Sequence, residues 1–185
     1  MTAKTTSDNS MPWLKAYPTD IPWDTPIQAG LVHDMLDKSA ARFGGRPCID
    51  FMGKRYTYGE IANLVNRTAK GLQDLGVVKG TRVGIFMPNA VYFVIFYYAT
   101  LKAGGTVVNY SPLYTVREIV AQANDSQTEI MVTLNLDALY EKVYAAKQET
   151  QMRKIIVCPL EETLPFPKNL LFPVFKHKEV AHIHG

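Results

Sequence analysis

The chain has little of what marks several specialised protein classes. Its 2 cysteines, Cys48 and Cys158, stand far apart, which excludes a disulfide framework and zinc-ligand spacing. Its formal net charge is only +3 and is scattered, which argues against a nucleic-acid-binding surface. A secretory signal, with an apolar stretch behind a basic start, is absent from the N-terminus. We therefore expect a cytoplasmic protein with reduced thiols.

Long apolar runs are also missing. The apolar segment 90–101 spans only about a dozen residues, whereas a membrane-spanning helix needs about 20. Pro88 and Asn89 block its extension upstream, and Lys102 follows it directly. The segment is therefore predicted to be a buried helix.

The usual phosphate-binding and catalytic signatures are absent as well. The chain has no G-x-G-x-x-G after a strand and no Walker loop, and Gly104-Gly105 follows a predicted helix. No serine lies in a nucleophile elbow, and no carboxylate pair suggests an acid and a base. His177, His182 and His184 lie close together near the end of the chain, and His182 and His184 could share one face of a strand. A metal site there is possible but has little support from the cluster alone. Lys176, His177 and Lys178 are interpreted as a solvated tail.

What the chain does have is a central βαβ unit. Arg82–Met87 is an apolar run without alternation, as expected for a strand covered on both faces. Asn89 is predicted to cap the helix Ala90–Leu101, which is apolar on every side. Its tyrosines are interpreted as core residues whose hydroxyls reach the rim of the helix: Tyr92, Tyr97 and Tyr98. Gly104-Gly105 ends the helix, and Thr106–Asn109 returns as a parallel strand.

The segments before this unit predict an arm, a helix, a hairpin and a second helix. Residues 1–10 are polar and are expected to be disordered, and the Pro- and Trp-rich stretch 11–26 is expected to be an extended arm. Trp13, Tyr17 and Trp23 are expected to pack on the chain's own domain rather than on a partner. The first helix has this apolar face: Val32, Met35, Leu36, Ala40 and Phe43.

The predicted hairpin covers Cys48–Tyr56, with Gly53-Lys54 in its turn. Thr57 and Glu60 have the spacing of a capping box. The stripe behind them predicts a helix that Gly76 ends: Ile61, Leu64, Val65, Thr68, Leu72 and Leu75.

The segments after the central unit continue the alternation of helices and strands. Thr115 and Glu118 repeat the capping-box spacing before a helix that ends at Asn124-Asp125. The remaining predicted elements are the strand Glu129–Thr133, the helix Asp137–Gln148 and the strand Lys154–Cys158. This order predicts a doubly wound, mostly parallel α/β sheet with flanking helices, plus a small β-hairpin.

We divide the chain into an arm over 1–28, an α/β subdomain over 29–158 and a Pro-rich segment over 159–185. Nothing in the last segment predicts a further βα repeat.

Several stretches resemble the adenylate-forming acyl-CoA synthetases, and specifically the bacterial long-chain fatty acid–CoA ligases. YTYGEI at Tyr56–Ile61 is similar to an early family motif, and LKAGGTVVNY at Leu101–Tyr110 is similar to the next one. SPLYTVRE at Ser111–Glu118 resembles the motif of the long-chain branch, with Ser111 where that branch has Asn. WLKAYP, MPNAVYF and QANDS also resemble this group, so the likeness covers residues 11–158 in consistent order.

The resemblance implies the N-terminal part of a ligase that uses ATP, Mg²⁺ and CoA. A fatty acid and ATP would give an acyl-adenylate and pyrophosphate, and CoA would then displace AMP. The family's phosphate loop, its acidic ligands for magnesium and its mobile C-terminal domain follow the region matched here. The resemblance therefore transfers no catalytic, cofactor-binding or metal residue to this chain, and no cofactor is expected to bind it tightly. The expected partners are fatty acid and CoA; a homodimer and peripheral contact with the inner face of the membrane stay open.

Two other hypotheses remain beside an inactive N-terminal piece of a ligase. One is an independent ligand-binding or interaction module that keeps the fold without the chemistry, with its ligand at the carboxyl ends of the strands. The other is a structural fragment that associates through surfaces which the rest of an enzyme would cover.

Overall fold

The computed structural model describes residues 13, 16–18, 20–176 and 178–184. The chain forms two compact units, Met1–Gly30 and Leu31–Gly185. The expected disorder of residues 1–10 lies outside the described residues, and the three-part division given above stays a prediction.

The described part of the first unit contains two turns where an extended arm was predicted. In the first turn the Ile21 amide donates to the Pro18 carbonyl at 3.2 Å. In the second turn the Thr25 amide donates to the Pro22 carbonyl at 3.3 Å. The Thr25 hydroxyl also donates to the Pro22 carbonyl at 2.6 Å. The side chains of Trp13, Tyr17 and Trp23 are exposed within the chain, and the surface that they contact stays a prediction.

The second unit alternates helices and strands. The helices are α1 (Val32–Phe43), α2 (Tyr58–Asp74), α3 (Val91–Lys102), α4 (Val116–Ser126), α5 (Asp137–Lys147) and α6 (Lys168–Phe175). The strands are β1 (Pro47–Phe51), β2 (Lys54–Thr57), β3 (Arg82–Phe86), β4 (Thr106–Tyr110), β5 (Ile130–Leu134) and β6 (Lys154–Cys158).

Four of the strands form one parallel sheet in the order β4-β3-β5-β6, and β1 and β2 form a separate antiparallel hairpin. The apolar run that predicted a strand covered on both faces, Arg82–Met87, is the inner strand β3. The other inner strand is β5, and every one of its residues is buried. The sheet is flanked by helices: α1, α2 and α3 contact one another, and α4 contacts α5. The predicted α/β class and the parallel pairing of the central unit are confirmed.

Close packing over β3 explains its glycine. A Cβ atom on Gly84 would lie 2.7 Å from Met131 Sδ and 2.9 Å from Tyr110 Cε2. The neighbouring strands β4 and β5 supply these two side chains, so the glycine lets them cover the centre of the sheet.

Both predicted capping boxes are present. At α2 the Glu60 amide donates to Thr57 Oγ1 at 3.2 Å, and the Thr57 amide donates to Glu60 Oε2 at 2.7 Å. At α4 the Glu118 amide donates to Thr115 Oγ1 at 3.4 Å, and the Thr115 amide donates to Glu118 Oε2 at 2.8 Å. Each box satisfies amides at the start of a helix that have no partner within it.

Two local predictions are wrong at the level of single residues. The hairpin turn is Met52-Gly53 rather than Gly53-Lys54, because both Met52 (φ 53°) and Gly53 (φ 97°) adopt positive φ and Lys54 already belongs to β2. Asn89 does not cap α3, since the N-cap is Ala90 and no side chain bonds there. The helix is otherwise as predicted, with none of its residues exposed.

The predicted inward face of α1 is only partly right. Leu36 is its one buried residue, whereas Met35 is 65% exposed and Val32 is 48% exposed. Helix α1 packs mainly against α2 and α3. Contact with these two helices buries fewer of its apolar side chains than the apolar pattern predicts.

The sequence analysis missed α6, because Pro165, Pro167 and Pro173 suggested an irregular segment. Two of these prolines precede the helix, where a missing amide hydrogen removes no helical bond, and only Pro173 lies within it. Among the described residues no strand follows β6, as expected; one isolated bridge joins Leu136 to Val180.

Candidate functional site

The carboxyl ends of the parallel strands meet along one edge of the sheet, where doubly wound folds bind their ligands. The register places Phe86 opposite Tyr110, and Leu134 opposite Cys158, so that the strands end nearly level. A ligand site of a doubly wound fold would therefore be formed by the segments that directly follow these strands.

Asn135 follows β5 at this edge and joins three parts of the chain. Its side-chain oxygen accepts from the Leu160 amide at 2.8 Å, and its side-chain nitrogen donates to Glu161 Oε2 at 2.9 Å. Its backbone amide donates to the Cys158 carbonyl at 3.0 Å, and its carbonyl accepts from the Ala181 amide at 2.9 Å. The side chain is buried and its polar atoms are satisfied within the chain, so Asn135 holds the edge together.

A second polar cluster joins α3 to the 3₁₀ turn Leu160–Thr163. The Tyr92 hydroxyl donates to Glu162 Oε2 at 3.2 Å, and Lys54 Nζ donates to the Glu162 carbonyl at 2.6 Å. Burial first, and then the Glu162 carboxylate, raises the pKa of Tyr92 above its usual range. The same two causes raise the pKa of the Cys158 thiol to about 12. Both groups stay protonated at neutral pH, so neither is suited to act as a base or nucleophile.

Ser111, which follows β4, supports a turn. Its hydroxyl accepts from the Leu113 amide at 3.3 Å, and its carbonyl accepts from the Tyr114 amide at 3.1 Å. Gln122 of α4 donates to the Asn109 carbonyl at 2.9 Å. This stretch fixes the entry of the chain into the capped helix α4 and contains no activated hydroxyl.

Two histidines near the end of the chain, His182 and His184, lie beside each other. His177 is outside the described residues, and the rings of His182 and His184 are 5.9 Å apart in an edge-on contact. His184 lies 4.5 Å from the Tyr144 ring, and its Nε2 atom is 3.3 Å from Glu141 Oε1. These contacts place His184 against α5, beside a cleft of about 230 Å³ whose lining includes Tyr144, Lys147 and Lys154.

The side chains described above do not form a complete site for activating a nucleotide. In the part of the chain that the structure describes, no three His, Cys, Asp or Glu side chains are grouped so that they could hold a metal ion. The turn after β3 is Pro88-Asn89, which presents no glycine loop to a phosphate. We therefore assign no reaction step to these residues, and the expectation that the chain contains no catalytic residue stays a prediction.

Over the described residues, none of the helices has the length and apolar character needed to cross a bilayer.

Solved structures share this architecture. A fatty acyl CoA synthetase of Mycobacterium tuberculosis superposes with a TM-score of 0.63 at 23% identity, over 68% of this chain and 26% of that one. A long-chain fatty acid–CoA ligase of Archaeoglobus fulgidus gives a TM-score of 0.64 at 24% identity, over 74% of this chain and 30% of that one. The sheet and its helices thus have the fold found in the N-terminal domains of adenylate-forming enzymes.

The sequence defines the family. Residues 36–179 match the sequence model of the AMP-binding enzymes, and the chain belongs to this family. It is 39% identical over 172 residues to a long-chain fatty acid–CoA ligase of Bacillus subtilis and 33% identical over 162 residues to one of Escherichia coli O157:H7. These matches cover 93% and 86% of this chain, but only 30% and 28% of those ligases. The resemblance recognised from the motifs is confirmed.

Sequence reasoning missed the two clusters at the edge of the sheet. Asn135 gave a partial signal, because a polar side chain directly after a buried strand needs hydrogen-bond partners if it is buried too. The pairing of Tyr92 with Glu162 had no local signal, because 70 positions separate the two residues.

Proposed function

We propose that this chain is the N-terminal part of an ATP-dependent long-chain fatty acid–CoA ligase and is inactive by itself. The observation that carries the proposal is the match of most of the chain to relatives with that name, together with the small share of their length that it spans. In the complete enzyme, the fatty acid carboxylate would attack the α-phosphate of ATP and release pyrophosphate. The CoA thiol would then attack the acyl carbonyl, lose its proton and release AMP.

The role that we propose for this part is to support the reacting groups rather than to contact them. The capped helices and the hydrogen bonds of Asn135 and Glu162 hold the strand ends and the turns after them in fixed positions. A rigid scaffold of this kind keeps groups supplied by other segments in reacting geometry.

Our proposal includes Mg²⁺ beside ATP and CoA for the complete enzyme, to offset phosphate charge. It also includes a cytoplasmic location with peripheral contact at the inner face of the membrane. A homodimer remains an alternative to a monomer, and light scattering over a range of concentrations separates the two.

A chimera tests the proposed function. The aligned segment of the Bacillus subtilis ligase is replaced by this chain, and fatty-acid-dependent exchange of pyrophosphate into ATP is measured. We expect exchange in the chimera and none with the 185-residue chain alone. A folded chimera without exchange would contradict the assignment, and exchange by the purified chain would contradict its inactivity.

The chimera carrying Gly84→Leu is the matched negative control, because a large side chain has no space beneath Met131 and Tyr110.

Thermal shift of the isolated chain with acyl-CoA, AMP and fatty acid tests the binding-module alternative, which predicts stabilisation by one of them.

A further inference from the structure

We draw no further inference here: the strongest candidate, the cleft beside α5 whose lining includes Lys147, Arg153 and Lys154, carries none, because the chain spans only 30% of the Bacillus subtilis ligase that it matches and nothing in the structure shows whether a ligand or another segment of a longer protein occupies this cleft.

Discussion

The Lys102 ammonium group lies 2.6 and 2.8 Å from the two carboxylate oxygens of Asp37. It also donates to Asn66 Oδ1 at 2.6 Å. One cation at the end of α3 thus binds α1 and α2 together, and each of its partners lies on a different helix. The Lys102 side chain is mostly covered, so solvent screens this contact less than it screens an isolated surface pair.

Removing this ion pair should weaken the domain measurably. We expect Asp37→Asn to lower the free energy of unfolding by about 1 kcal/mol, because Lys102 loses its charged partner in a partly covered position. Urea unfolding followed by circular dichroism measures the change. Asp74→Asn is the matched control: it removes the exposed pair with Lys70 and should change stability by a few tenths of a kcal/mol at most. Equal effects of the two variants would contradict the special role of Lys102.

The capping boxes should make stability depend on pH. Hydrogen bonds from the amide and the hydroxyl of Thr57 lower the pKa of Glu60 from its ordinary value of 4.5. A lowered folded-state pKa gives stability that is present above pH 4.5 and is lost as pH falls through the lowered value. Glu60→Gln should therefore flatten the dependence of the unfolding temperature on pH in this acidic range. If Glu60→Gln left the pH dependence of the unfolding temperature unchanged, the capping hydrogen bonds would not shift the pKa of the Glu60 carboxyl.

The caps can also be tested at constant pH. Thr115→Ala should destabilise the domain by about 1 kcal/mol, since the Glu118 amide loses its partner at the start of α4. The same measurement on Thr115→Ser, which keeps the hydroxyl, should give a value close to that of the unmodified chain.

Gly84 and Gly71 should respond to alanine in opposite ways. Gly84→Ala places a methyl group against Met131 and Tyr110 and should cost about 1–3 kcal/mol of stability. Apart from the adjacent backbone of α2 itself, no atom lies within 4 Å of a Cβ on Gly71, so Gly71→Ala in α2 should add roughly 0.5–1 kcal/mol. Denaturant unfolding of the two variants compares them directly. Destabilisation by Gly71→Ala would show that α2 is packed more closely than described.

The two cysteines should differ in reactivity. Cys158 is 4% exposed, and burial with the nearby Glu162 carboxylate raises the pKa of its thiol to about 12. Cys48 is half-buried, and burial raises its pKa as well. Iodoacetamide at neutral pH should alkylate Cys48 well before Cys158, because only the accessible thiolate reacts. Peptide mass spectrometry gives both rates, and the denatured chain, in which they should be equal, is the control.

The sequence indicated most local elements because their signals lie within a few residues of each other. Thr57 and Glu60 are neighbours on the first turn of α2, and the uninterrupted apolar run of β3 identified a strand covered on both faces. The helix α6 was missed for the opposite reason: its prolines are local signals against a helix, and two of them precede it.

The edge of the sheet could not be predicted in the same way. The bonds of Glu162 to Lys54 and Tyr92 span 108 and 70 positions, so they exist only once the whole domain has formed. The exposure of Met35 on α1 likewise depends on which helices lie beside it, which its own apolar pattern does not specify.

The order of the sheet has a consequence for synthesis on the ribosome. β3 and β4 leave the ribosome first and can pair at once, β5 then adds to the open side of β3, and β6 adds to the open side of β5. Every new strand joins an existing border, and none has to be inserted between two strands that are already paired. The sheet can therefore grow in the direction of translation without undoing any earlier step.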